Sequence, residues 1–251
     1  MKLVVFGLSI TSSWGNGHAT TYRGLLKALS SRGVDVHFVE KAAPWYSTNR
    51  DLWSCDYARI TRYEDVDELR AIVASEAARA DIVLVGSYFP EGVLLTDLLQ
   101  HIPGPRKLFY DIDTPVTLQA FEASGTAGYL RADQIPLFDA VLSFTGGRAL
   151  EELDERWGAR RAVALYCALD PAAHSRVAAD GRFLGRLGYM GTYSPDRHAA
   201  WEQLFLESAR RFPGERFLLA GPQYPPMEMP PNVVHLVHVP PPDHPAFYSS
   251  T

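Results

Sequence analysis

The 251-residue chain has only two cysteines, Cys55 and Cys167, far apart and without metal-ligand spacing. That excludes a disulfide framework and a zinc site, fits a reducing compartment, and favours two buried apolar thiols. No stretch approaches the ~20 apolar residues that span a bilayer. The opening run MKLVVFGLSI is short, contains Gly7 and lacks a small-residue cleavage site, so it reads as a buried strand of a cytoplasmic protein rather than a signal peptide. A peripheral membrane contact stays compatible with these features. Basic residues are scattered and the formal net charge is −5. A nucleic-acid footprint is basic and clustered, so DNA and RNA are excluded as main partners.

What is present is ample apolar material, 47% of residues, in a strand, loop, helix grammar. Residues 3–21 run from an apolar strand through a glycine-rich loop into a helix. Tyr22, Leu25, Leu26 and Leu29 then mark one helical face, and Gly33 stands where a C-cap should. Residues 34–39 form the next strand, and so long a crossover demands parallel pairing. Residues 41–63 show no period and are expected to pack their aromatics over the sheet edge. Further helices are expected over 66–77, 91–100, from Thr114-Pro115, and over 147–157, with strands over 81–86, 107–110, 140–144 and 161–166. Such alternation specifies an α/β fold with a doubly wound parallel sheet.

The pattern lapses between about 170 and 185 and restarts at residue 186. This divides the chain into an amino-terminal Rossmann-like domain, 1–170, a linker, 171–185, and the first part of a second Rossmann-like domain, 186–251. Ser194-Pro195-Asp196 signals a helix start, and Trp201, Leu204, Phe205, Ser208 and Phe212 are expected to share one face. Strands are expected over 216–220 and 232–237 and a helix from Asp243. Fewer than the ~100 residues of a full domain follow the boundary, so the second domain reads as truncated.

In open parallel sheets, ligands bind beyond the carboxyl ends of the strands. Four loops qualify: 9–18, 110–114, 145–148 and 191–197. The first carries GNGHAT, with Glu40 at the end of the next strand, and invites comparison with a dinucleotide fingerprint. Thr20 replaces the third glycine and the loop is eight residues too long, so an NAD(P)-dependent oxidoreductase or epimerase is the weaker reading. A loop of Gly15, Asn16 and Gly17 ending in His18 instead suits an imidazole that takes a proton from a substrate hydroxyl. Capping the helix or packing in the loop would serve His18 equally well. Asp111 and Asp113, two apart on a strand end, should point the same way. They can orient His18 or hold a divalent metal, although Asp113 can also simply cap the next helix. Asp111 is the more interesting carboxylate. Gly191, Thr192 and Tyr193 lead to a helix N-terminus that favours phosphate, and Arg197 can add a forked charge or be a solvated arginine. His238, after a later strand, is a minor candidate for a base or ribose.

GNGHA, YDIDTP, VLSFTGG, LGYMGTYSPDR, LLAGPQYP and HVPPPDHPAFYSS follow one another in an order that resembles glycosyltransferases of the CgeB type, which have the two-domain GT-B architecture. The resemblance implies a sugar moved from a nucleotide diphosphate sugar to a hydroxyl acceptor in a cleft between the domains. It implies His18 as acceptor base, and the strand-end reading offers Asp111 as its partner. The resemblance maps the diphosphate contacts onto Gly191, Thr192 and Arg197, to which the loop readings add Tyr193 and His238 on the nucleotide-sugar side and Gly15, Asn16, Gly17, Asp113, Thr145 and Gly146 on the acceptor side. No cofactor is required, and a metal at Asp111 and Asp113 is allowed but not expected. The later half of the sugar-nucleotide domain is not in the sequence, so weak or no activity of this chain alone is expected. A non-catalytic, transferase-like binding module is the remaining alternative.

Overall fold

The computed structural model describes all 251 residues. By compactness the chain forms two units: Met1–Ser12 with His18–Leu169, and Ser13–Gly17 with Asp170–Thr251.

The first unit alternates β1 (Lys2–Phe6), α1 (Gly17–Ser30), β2 (Asp35–Lys41), α2 (Pro44–Ser47), β3 (Arg59–Tyr63), α3 (Val66–Glu76), β4 (Ile82–Gly86), α4 (Gly92–Leu99), β5 (Arg106–Asp111), α5 (Thr114–Ser124), β6 (Ala140–Ser143), α6 (Arg148–Glu155) and β7 (Ala162–Ala164). Its seven strands lie in the order β3-β2-β1-β4-β5-β6-β7, and every pairing is parallel. Alternate residues of one strand enter opposite cores, because side chains of a strand leave the sheet on alternate faces. Leu3 and Val5 pack with Tyr22 and Leu26 of α1. Val4 and Phe6 pack with Leu69, Val73, Leu95, Leu99, Leu118, Phe121 and Leu153 from α3 to α6. Burial on both faces explains why these strands are continuously apolar rather than alternating. The strand order reverses between β1 and β4, where the outgoing loops part and leave a crevice.

Differences from the sequence pattern are local. Residues 41–63 contain an edge strand, β3, whose sequence RITRY is half polar and carries no buried-strand signature. Of the aromatics ahead of it, Tyr57 packs against the core on the α1 side, whereas Trp45 is 57% and Trp53 75% exposed. Cys55 is half-buried and Cys167 exposed, so neither is a buried core thiol. Helix α5 begins at Thr114, with Asp113 in the capping position. Gly33 does end its helix in a left-handed conformation, φ +80°, donating its amide to Ser30.

The second unit has β8 (Leu187–Met190), β9 (Phe217–Ala220) and β10 (Val233–Leu236) as a parallel sheet in the order β10-β9-β8. A continuous helical stretch runs through a 3₁₀ turn, Pro195–Arg197, α7 (His198–Trp201), a π segment, Glu202–Leu206, and α8 (Glu207–Arg211). The wider π turn shifts the buried face onto Trp201, Phe205, Leu206 and Ala209 and leaves Leu204 and Phe212 exposed. Within the stretch read as a linker, Phe183 is buried against Phe247 of α9 (His244–Ser250) at 5.7 Å. No helix is long and apolar enough to cross a membrane.

At the start of α4 the backbone of Gly92 runs hard against that of Tyr129. A Cβ on Gly92 would lie 2.2 Å from the Tyr129 carbonyl oxygen, whereas one on Gly17 would meet nothing within 4 Å. Gly92→Ala is therefore expected to destabilise by about 1–3 kcal/mol despite alanine's better helix propensity. Gly17→Ala is expected to be neutral or mildly stabilising. Urea unfolding of the two variants beside the parent checks both.

Candidate active site

The loop after β1 is held from below. Glu40, at the end of β2, is 1% exposed, and its carboxylate accepts the amides of Ile10 at 2.7 Å and Thr11 at 3.2 Å as well as the Thr11 hydroxyl. The Arg23 guanidinium of α1 donates twice to the Ile10 carbonyl, at 2.9 and 2.6 Å. Asp51 and Leu52 donate their amides to Thr11 O, and Ser12 donates its hydroxyl to Asn49 O. Glu40 is consequently spent on the loop's own backbone and offers no carboxylate to a ribose, which removes the residue on which the dinucleotide reading relied.

This loop delivers the chain to Gly15, in a left-handed conformation at φ +59°, and to the start of α1. Asn16 is buried. His18, in the first turn, has a side chain only 10% exposed, with Nε2 4.0 Å from Asp113 Oδ2. Its Nδ1 is buried and has no hydrogen-bond partner. Burial lowers the imidazole pKa to about 4, so the ring is neutral near pH 7. A neutral, buried imidazole with one nitrogen vacant and a carboxylate near the other is equipped to accept a proton.

The two aspartates do not point the same way. Strand β5 ends at Asp111, and Asp113 leaves extended geometry at φ −137°, ψ 44°. Asp111 turns into the protein at 1% exposure, accepts the Asp113 amide at 3.0 Å, and burial pushes its pKa up to about 6. Asp113 keeps a side chain 42% exposed and makes no side-chain cap to α5. The carboxylate facing His18 is thus Asp113, and Asp111 lies behind it.

Thr145 and Gly146 follow β6. The Ser143 hydroxyl joins Thr114 Oγ1 at 2.7 Å and accepts the Thr145 amide at 3.0 Å, tying this turn to the start of α5. Thr145 Oγ1 itself is buried without a partner, and a Cβ on Gly146 would meet the Tyr166 hydroxyl at 2.8 Å. Tyr88, which no sequence motif singled out, stands beside His18 with ring centroids 5.4 Å apart.

In the second unit, the Gly191 amide donates to Ala220 O and its carbonyl accepts from the Tyr224 hydroxyl at 3.2 Å. Gly221, at φ +136°, allows this contact, since a Cβ there would fall 2.0 Å from Gly191 O. Beyond Thr192, the Tyr193 amide donates to Pro222 O, and its ring lies 5.4 Å from that of Tyr224. Arg197 is exposed in the opening 3₁₀ turn, and His238 is exposed beyond β10. The Gly191 and Gly221 loops form one polar and aromatic cluster, of which the sequence pattern singles out only the first half.

No family model matches the chain, and no curated protein matches it by sequence. Solved structures do resemble it. UGT2 of Phytolacca americana, complexed with UDP-2fluoro-glucose and pterostilbene, superposes with a TM-score of 0.53 at 11% identity, covering 95% of this chain and 71% of that one. UGT89C1 of Arabidopsis thaliana, complexed with UDP-L-rhamnose, gives 0.54 at 12% identity over 94% and 70%. The shared fold is GT-B. At such identity the likeness is one of architecture, so the chemistry has to be argued from this chain's own residues.

The two buried groups titrate with opposite consequences. Between pH 6.5 and about 4 the unfolded chain protonates His18 and the folded chain does not, so acid weakens the fold by up to about 3 kcal/mol. Between about 6 and 3.8 the folded chain protonates Asp111 first, so acid strengthens it by a similar amount. Relative to the parent, His18→Ala is expected to gain stability as pH falls from 7 to 4, and Asp111→Asn to lose it. Urea melts at pH 7, 5 and 4 check this, and stability differences that do not change with pH would contradict the assignment.

Proposed function

We propose that the chain belongs to a glycosyltransferase that moves a sugar from a nucleotide diphosphate sugar to a hydroxyl acceptor, with His18 as the acceptor base. The observation that carries the reading is the buried neutral imidazole, one nitrogen unpartnered and the other 4.0 Å from Asp113. The GT-B fold, found in the plant enzymes, supports it by analogy.

The acceptor hydroxyl gives its proton to the neutral His18 imidazole as its oxygen forms a bond to the anomeric carbon. The bond from that carbon to the diphosphate breaks, and the electron pair leaves with the nucleoside diphosphate. As the imidazole becomes positive, Asp113 closes on the Nε2 proton and stabilises the charge. Asp111 holds the Asp113 backbone in place. Direct displacement of this kind inverts the anomeric configuration. The donor is assigned to the Gly191, Thr192 and Tyr193 loop, with Arg197 meeting the diphosphate, and His238 as a minor contact. No metal enters this scheme, in which the Arg197 guanidinium meets the leaving charge.

A panel of nucleotide sugars, UDP sugars first, and hydroxyl acceptors tests the proposal by release of nucleoside diphosphate. His18→Ala is expected to lower kcat by roughly 10²–10⁴-fold while leaving nucleoside diphosphate binding, followed by calorimetry, unchanged. The kcat/KM profile should be level through neutral pH and fall only as His18 is protonated near about 4. Failure to bind any nucleoside diphosphate, or activity of the His18 variant equal to the parent's, would overturn the assignment.

A further inference from the structure

We propose that Tyr88 is the positioning residue of this site: it is forced into a left-handed backbone conformation so that its ring forms the wall against which the His18 imidazole is set. It is one of two non-glycine residues with positive φ, at +62°. A bulky side chain is disfavoured there by the clash of its Cβ, and such outliers persist only where the surroundings over-determine them.

The surroundings do so from both sides. Before Tyr88, Ser87 is buried, donates its amide to Tyr110 O at 2.9 Å and accepts the Ile112 amide on its hydroxyl at 3.0 Å, which ties it to the strand end carrying Asp113. After it, Phe89 is buried against Phe6 at 5.8 Å and Tyr63 at 5.7 Å. Glu91 takes bonds from the Tyr63 hydroxyl and Lys41. Between these anchors the chain has one residue in which to reverse, and it is a tyrosine where glycine or asparagine would fit with less strain.

What the strain secures is the ring's place. Tyr88 meets His18 edge-on, at 85° between planes, and leans on Tyr129 at 4.7 Å. Tyr129 is held by its hydroxyl on Thr117 at 2.6 Å, and Thr117 bonds the Asp113 carbonyl. One run of aromatic contacts therefore links the ring beside the imidazole to the turn that carries its carboxylate, at the point where the strand order reverses. Its consequence for catalysis rests on the reading of His18 as base, but its effect on the imidazole does not.

Tyr88→Gly and Tyr88→Asn remove the ring at a backbone position both residues tolerate, and Tyr88→Phe keeps the ring. The imidazole of His18 is titrated by NMR in the full chain, without substrate, using labelled histidine. The ring-less variants should fold, with melting temperatures at or above the parent's, and should raise the His18 pKa by about one unit or more as water reaches the ring. Tyr88→Phe should rescue the parent value. Unchanged titration in both ring-less variants, an equal shift in Tyr88→Phe, or failure of both ring-less variants to fold would overturn the proposal. If His18 shifts as expected but the chain binds no nucleoside diphosphate, the transferase reading fails alone and the positioning role stands.

Discussion

The site depends on a carboxylate turned onto the protein's own backbone. Glu40 sits at the end of β2, buried, and draws two backbone amides and a hydroxyl of the β1 loop onto itself. A carboxylate out of water is tolerable only when its lone pairs are taken by donors, so the loop cannot drift without leaving the charge exposed to an apolar interior. Arg23 clamps the same loop from α1 through the Ile10 carbonyl. Loop and helix are thereby referenced to the sheet, and His18 inherits its position from both.

From that anchor the environment of His18 follows from topology. Strands β1 and β4 are neighbours whose chains leave in opposite directions, which opens a crevice over their carboxyl ends. The imidazole enters it from the β1 side, Tyr88 from the β4 side and Asp113 from β5. Desolvation keeps the ring neutral, and the Asp113 carboxylate lies 4.0 Å from its Nε2.

The second unit shows the same device with different parts. Gly191 and Gly221 bring two loops into backbone contact that any side chain at Gly221 would block, and Tyr224 seals it with a hydrogen bond to Gly191 O. The helix beyond them opens as a 3₁₀ turn and carries a π segment, which rotates its apolar face by about a residue and leaves Leu204 in solvent.

Local chemistry made much of this legible. Apolar runs buried on both faces, glycine at the end of α1 and the restart of the pattern near residue 186 pointed to doubly wound parallel sheets, because period and turn chemistry are properties of neighbouring residues. The same locality brought His18 and Gly191 into view. The edge strand β3 escaped because half its residues face solvent and leave no apolar signature. Which carboxylate faces His18 was decided by a backbone turn at Asp113, and the use of Glu40 by a partner 30 residues away. The ring of Tyr88 found its neighbours only when three strand ends were assembled. Those are long-range contacts, set by how strands pair and helices pack, and no spacing along one chain encodes them directly.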